Sequence, residues 1–222
     1  MTFMKQVFIF MMFIFTSNAF ACISPIAEPE DNIKNCQLEA NNGSEYAQFM
    51  LGLIYYNGDL TKKDIIKSIQ WFTKSAEQGF VYAQYNLSVL LDSGDGLPKN
   101  TQAAVKWLIK AAEQDYERAQ FSLAQRFDYG EGVKQSPSGA AKWYIKAAEQ
   151  GHSGAQNNIG TMYDTGVGVL KNKSRAHMFF YMAALKGEQI SVKNLALVKA
   201  EMTKDELKLA VQLAKEWMEY YP

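Results

Sequence analysis

Shifted against itself by 36 residues, the chain matches itself over four successive units without a gap. Ala-Gln recurs at Ala47-Gln48, Ala83-Gln84, Ala119-Gln120 and Ala155-Gln156, and glycine at Gly58, Gly94, Gly130 and Gly166. A large aromatic recurs at Trp71, Trp107, Trp143 and Phe179, and alanine at Ala76, Ala112, Ala148 and Ala184. A fixed period of this length marks a supersecondary unit that cannot bury its apolar face alone and stacks on copies of itself. Folds with a single closed core are thereby excluded.

Each unit reads as helix, turn, helix. In the first unit Ala47, Met50, Leu51, Ile54 and Tyr55 are spaced for one helical face over 44–56. That helix stops at the recurring glycine. The second helix opens at Asp64, Asn100, Ser136 and Asn172, all good N-caps, and Pro137 suits a first helical position. Second helices close near Gly79, Gly151 and Gly187, with Asp115 as the exception. The aromatic ladder reads as core, which predicts a loss of about 3–5 kcal/mol for Trp107→Ala.

The third unit carries the fullest pattern: Ala119, Leu123, Tyr129-Gly130-Glu131-Gly132-Val133, Ala140, Trp143, Ala147-Ala148 and Gly151. Unit two has Gly94-Asp95-Gly96-Leu97 and unit four Gly166-Val167-Gly168-Val169, whereas unit one has Leu60 in place of the second glycine. This pattern resembles the Sel1-like repeat family, a relative of the tetratricopeptide repeat. The resemblance implies an all-α, right-handed solenoid of helix-turn-helix repeats. Four units over 44–190 lead into capping helices over 191–222. There Thr203 and Glu206 form a capping box, and Leu207, Ala210, Val211, Leu213, Ala214 and Trp217 one apolar stripe.

The N-terminus reads differently. Lys5, nine apolar residues from Val7 to Phe15, and Ala19-Phe20-Ala21 have the order of a secretory leader over 1–21, cleaved after Ala21. Nine residues rise about 14 Å as a helix, roughly half a bilayer core. The expected mature chain is periplasmic or secreted, with no transmembrane segment. Cys22 and Cys36, the two cysteines, lie in the 22–43 segment. A disulfide is the economical reading in an oxidising compartment, with lipidation of Cys22 or two free thiols as alternatives.

Removing the leader takes Lys5 from 23 basic residues and leaves 23 acidic ones, so no field favours nucleic acid. Catalysis, cofactors and metals are not expected. His152, in an inter-repeat turn, reads as solvated and His177 as exposed, and neither has metal-ligand spacing. The paired turn glycines sit between two helices, so they are not a phosphate loop. Some members of the family have been associated with β-lactamase activity, which makes an envelope hydrolase of β-lactamase or penicillin-binding type the rival class. However, Ser-x-x-Lys, Ser-Asp-Asn and Lys-Thr-Gly are all absent.

Positions that keep their chemistry in every unit are packing, and those that vary on one face are free for recognition. In the tetratricopeptide relatives first helices line the concave side, with Gly52, Ser88, Ala124 and Gly160 here as the small packing position. That register turns Tyr46, Phe49, Leu53 and Tyr56 of unit one, and Tyr82, Tyr85, Val89 and Asp92 of unit two, toward the groove. Arg118, Phe121, Gln125 and Asp128 follow in unit three, and Asn157, Thr161 and Asp164 in unit four. The expected function is an exported scaffold that holds a protein or peptide along this surface, in host interaction or envelope signalling.

Overall fold

A computed structural model describes Cys22, Ile23 and residues 28–221, which form eleven helices and no strand. The leader region 1–21 lies outside the described residues, as do 24–27 of the segment that follows it. First helices α2 (Glu45–Asn57), α4 (Val81–Ser93), α6 (Glu117–Tyr129), α8 (Ser153–Thr165) and α10 (Gln189–Ala200) begin 36 residues apart. Second helices α1 (Pro29–Asn41), α3 (Ile65–Glu77), α5 (Thr101–Glu113), α7 (Pro137–Glu149) and α9 (Lys173–Leu185) keep the same interval, and α11 (Lys204–Tyr220) follows. From α1 to α10 each helix packs on its neighbours in sequence, which is the α-solenoid that the repeat requires.

Helix α1 was not expected from the 22–43 segment. It stands in the phase of the second helices, and its Ala40 is the in-phase partner of Ala76, Ala112 and Ala148. Its Cys36 precedes by one period Phe72, the first of a row continued by Leu108, Tyr144 and Phe180, all buried. Where those units insert a ring or a leucine, α1 inserts half of a disulfide: Cys22 and Cys36 are bonded, 1% and 0% exposed. The bond fills core volume against Leu51 and Leu60 and uses the sulfur that a lipid thioether on Cys22 would need. Leu60, where the later units have a glycine, thus acquires a packing role.

The Phe72 row packs against the small residues of the first helices. A Cβ on Gly52 would lie 2.5 Å from the Phe72 ring, and one on Gly160 2.8 Å from Phe180, so these two positions admit only glycine at this helix spacing. The tryptophans are not the core: Trp71, Trp107 and Trp143 are half-buried, each with the ammonium of Lys74, Lys110 or Lys146 over its ring. The fully buried position is one residue later, because that turn of the helix points at the first helix of its own unit.

The recurring glutamines join units. Buried Gln48, Gln84 and Gln120 donate from Nε2 to the carbonyls of Ala40, Ala76 and Ala112 at 3.0, 3.2 and 3.3 Å. Their Oε1 atoms accept from Gln78, Gln114 and Gln150 at 2.7–2.8 Å. Gln156 repeats the first bond, to Ala148 at 3.1 Å, but its buried Oε1 has no donor. Lys186 stands where the donor glutamine is expected and instead donates to the Gly151 carbonyl at 2.7 Å.

Both histidines depart from expectation. His177 is 8% exposed because it occupies the in-phase position of Ile69, Val105 and Ala141, and its Nδ1 has no hydrogen-bond partner among the described residues. His152 is the N-cap of α8: the Ala155 amide donates to its Nδ1 at 3.2 Å, and its ring stacks on Phe121 at 4.1 Å. Asp115, left-handed at φ 57°, is steadied there by a bond from Gln120 at 3.0 Å.

At the C-terminal end the capping box of Thr203 and Glu206 forms. Helix α11 opens at Lys204, five residues short of one full period after Lys173, and lies along α9 instead of pairing with α10. Its stripe is narrower than expected, because Val211 is 47% exposed.

Three outcomes follow from this packing. Tyr144→Ala removes a fully buried ring and should cost about 3–5 kcal/mol, whereas half-buried Trp107→Ala should cost only about 2 kcal/mol in urea unfolding. Lys186→Gln supplies the missing donor and should raise stability by about 1 kcal/mol. Burial above all holds both histidines below the ordinary imidazole pKa; a backbone hydrogen bond opposes it at His152, and nearby cations add to it at both. The histidines' contribution is therefore complete above about pH 6.5 and declines as pH falls through that value, because the unfolded chain then binds more protons. The urea midpoint should drop between pH 7.5 and 5.5. His152→Asn with His177→Ile, which keep a cap and the Ile69-type core residue, should flatten that slope.

Candidate functional site

The exposed face of the first helices carries most of the expected groove residues, but their surroundings differ by unit. Phe49 is a correction: it is 3% exposed, with its ring against Phe72, Phe80 and Tyr82 at 5.6, 5.1 and 6.2 Å. Because Phe72 enters the notch of Gly52, it draws Phe49 down into the core. Tyr46, Leu53, Tyr56, Tyr82 and Tyr85 are half-buried and Val89 is 48% exposed. Tyr46 meets Phe80 edge-on at 6.3 Å, and Tyr82 and Tyr85 meet Tyr116 at 5.4 and 5.2 Å. Phe121 lies under His152.

Phe80, Tyr116 and His152 therefore complete a ladder of rings that the groove register missed. They occupy the N-cap positions of α4, α6 and α8, 36 residues apart, and that phase was the available signal. Ser44 caps α2 by accepting from the Ala47 amide, whereas Phe80 and Tyr116 provide no side-chain acceptor. Giving up a cap costs about 1 kcal/mol. Ring contact between adjacent units offsets that loss.

Burial raises the pKa of the Tyr46 and Tyr56 phenols and pushes Tyr116 up to about 12, so these three rings are uncharged at neutral pH. The Lys63 ammonium lies 5.0 Å from the Tyr56 ring. Beyond Tyr85 the first helices and α5 leave a cavity of about 210 Å³, lined by Tyr85, Ser88, Val89, Asp92, Leu108 and Arg126. It opens where leucine replaces the ring of the buried row. Burial pushes the Asp92 carboxyl up, but the hydrogen bond and charge of Arg126, 2.7 Å away, outweigh it and hold the group below the usual carboxylate range. Arg126 also reaches Glu131 at 2.9 Å, which makes this stretch polar and internally paired.

The unit-three and unit-four positions are less uniform. Arg118 and Thr161 are exposed, and Gln125 and Asp164 half-buried. Asp128 accepts from the Tyr144 hydroxyl at 3.4 Å. Asn157 is committed to packing, because its Oδ1 accepts from Ser191 at 2.9 Å and Asn194 at 3.1 Å, tying α8 to α10. Helix α10 then continues the surface past the expected four units. Ile190 (59% exposed) and Leu197 (67% exposed) stand one period after Gly154 and Thr161, in the rows of Tyr46 and Leu53. Along the molecule the outward face of the first helices is thus apolar, polar and apolar again. Among the described residues no group of three His, Cys, Asp or Glu side chains is placed to hold a metal ion. No described helix is long and apolar enough to cross a membrane.

Comparison with known proteins agrees with this architecture. The Sel1 repeat model matches residues 45–80, 81–116, 117–152 and 153–188. A Sel1 repeat protein from Oxalobacter formigenes superposes with a TM-score of 0.74 at 33% identity, covering 86% of this chain and 79% of that one. A protective antigen present in uropathogenic Escherichia coli strains, with an SLR fold, superposes with a TM-score of 0.55 at 30% identity. That match covers 86% of this chain and 49% of the antigen, so the chain spans about half of the antigen's length. A sel1-like repeat-containing protein of Acanthamoeba polyphaga mimivirus is 51% identical over 45 residues, which is 20% of this chain and 8% of the viral protein. With four contiguous units matched and a helix-pair solenoid built from them, the chain belongs to the Sel1 repeat family.

Proposed function

We propose that the chain is an exported, non-catalytic scaffold that holds an extended segment of a partner protein along the groove of its first helices. Repeats of this family serve broadly as protein-interaction scaffolds. The observation that carries the reading is the run of half-buried tyrosines Tyr46, Tyr56, Tyr82 and Tyr85 beside exposed Val89. Tyrosine buries a large apolar area and still offers a hydroxyl, and for this reason it is enriched where interfaces carry their energy. The buried Cys22–Cys36 disulfide supports an oxidising compartment, and with it the leader read over 1–21. A role in host contact or envelope signalling fits that location.

A photo-reactive side chain replacing Val89 should crosslink a protein partner in the compartment fraction, and Leu53→Glu with Val89→Glu should weaken that partner at least tenfold. Helix content by circular dichroism should stay unchanged. Undiminished binding of that partner to the charged variant, measured on the purified pair, would remove the groove from consideration. Mass spectrometry of the purified chain should find Cys22 as the first residue and the two cysteines oxidised.

A further inference from the structure

The geometry points to a second site, away from the groove: a cavity between α7, α9 and α11 that takes an alkylammonium group. Its space is about 310 Å³, at the lower end of the roughly 300–1,000 Å³ usual for small-molecule sites. One wall is a run of contacting rings. Tyr163 stacks on Phe179 at 5.8 Å, Phe179 meets Trp217 edge-on at 4.9 Å, and Trp217 leans on Tyr221 at 4.5 Å.

The molecule itself shows what such a wall accepts. Trp71, Trp107 and Trp143 each hold a lysine ammonium over the ring, at 4.2, 4.4 and 5.1 Å. Trp217, the fourth tryptophan, has no cation over its ring among the described residues, yet it lines an open cavity. An ammonium over an indole face is favoured by the ring quadrupole, and more so when partly desolvated.

The charges of the cavity select the same ligand. Glu149 and Glu216 both line it. Glu149 accepts from the Tyr221 hydroxyl at 3.2 Å and Glu216 from the Gln212 amide at 2.9 Å, both neutral donors. Neither carboxylate is in an ion pair among the described residues. Arg175, the one basic lining residue, is engaged with Tyr163: its guanidinium lies 5.5 Å from the ring centroid, and Nη1 donates to the hydroxyl at 3.0 Å. Two carboxylates outside any ion pair, beside an indole that carries no cation among the described residues, thus suit a cation on an apolar stem, as in an amine or a lysine side chain. This site does not depend on the groove reading.

The test follows the Trp217 indole N–H signal by nuclear magnetic resonance in the full chain, with n-butylammonium chloride as the probe. The signal should shift saturably, and n-pentanol, the neutral analogue of similar size, should bind at least tenfold more weakly. Glu149→Gln with Glu216→Gln should weaken n-butylammonium at least tenfold while leaving the other three indole signals in place. N-acetyl-lysine amide should bind like n-butylammonium if a lysine side chain fits, and tenfold tighter binding of n-butylammonium would assign the site to small amines. No saturable shift, equal binding of n-pentanol, or unchanged affinity in the double variant would overturn the proposal.

Discussion

The array depends on a buried amide in each unit. Gln48, Gln84, Gln120 and Gln156 each donate across a unit boundary to the carbonyl of an alanine that ends a preceding second helix. A buried amide without partners costs more than an apolar residue gains, so the bond is made only where adjacent helix pairs stand in one register. Alanine at the acceptor position lets the backbones approach, and the notch opposite Phe72 and Phe180 sets the spacing inside a unit. Apolar burial holds the pairs together, while the glutamines decide how they align.

Periodicity made most of this legible. A chain that repeats its own solution at every 36 residues gives its own alignment, and the four units, their caps and the Cys22–Cys36 bond agree with that reading. The misses have local causes. Helix α1 keeps the phase but has Asn35 in the row of Trp71 and Cys36 in the row of Phe72, and Ala40 with Gly43 is too thin a trace. His177 reads as exposed from its place one residue after the small-residue position of a second helix, although its register with Ile69 and Val105 puts it in the core. Phe49 was judged by register alone, and no register reports that the ring of Phe72 reaches over Gly52. The step of α11 out of phase arises from packing on α9, which no repeat encodes.

The candidate groove shows a different trade. Where only stacking matters the units keep one chemistry, and where the surface faces outward they diverge, from tyrosines through the Asp92–Arg126 pair to Ile190 and Leu197. Phe80 and Tyr116 extend that divergence into capping positions, giving up a helix-end bond for a ring that bridges neighbours. The aromatic ladder is therefore the seam between adjacent first helices and, on the function proposed above, the floor under a partner segment as well. Substitutions there act on stacking and recognition together, and exposed Val89 separates the two better than any tyrosine.

The alternation of the groove sets a reach. Packed helices stand roughly 10 Å apart, so the three steps from Val89 to Leu197 span on the order of 30 Å. An extended strand covers about 3.3 Å per residue, so a segment that touches both apolar ends has its two greasy anchors about nine residues apart. A polar middle facing Gln125 and Thr161 would complete it, a spacing too wide for a single helix turn or a lone side chain to satisfy.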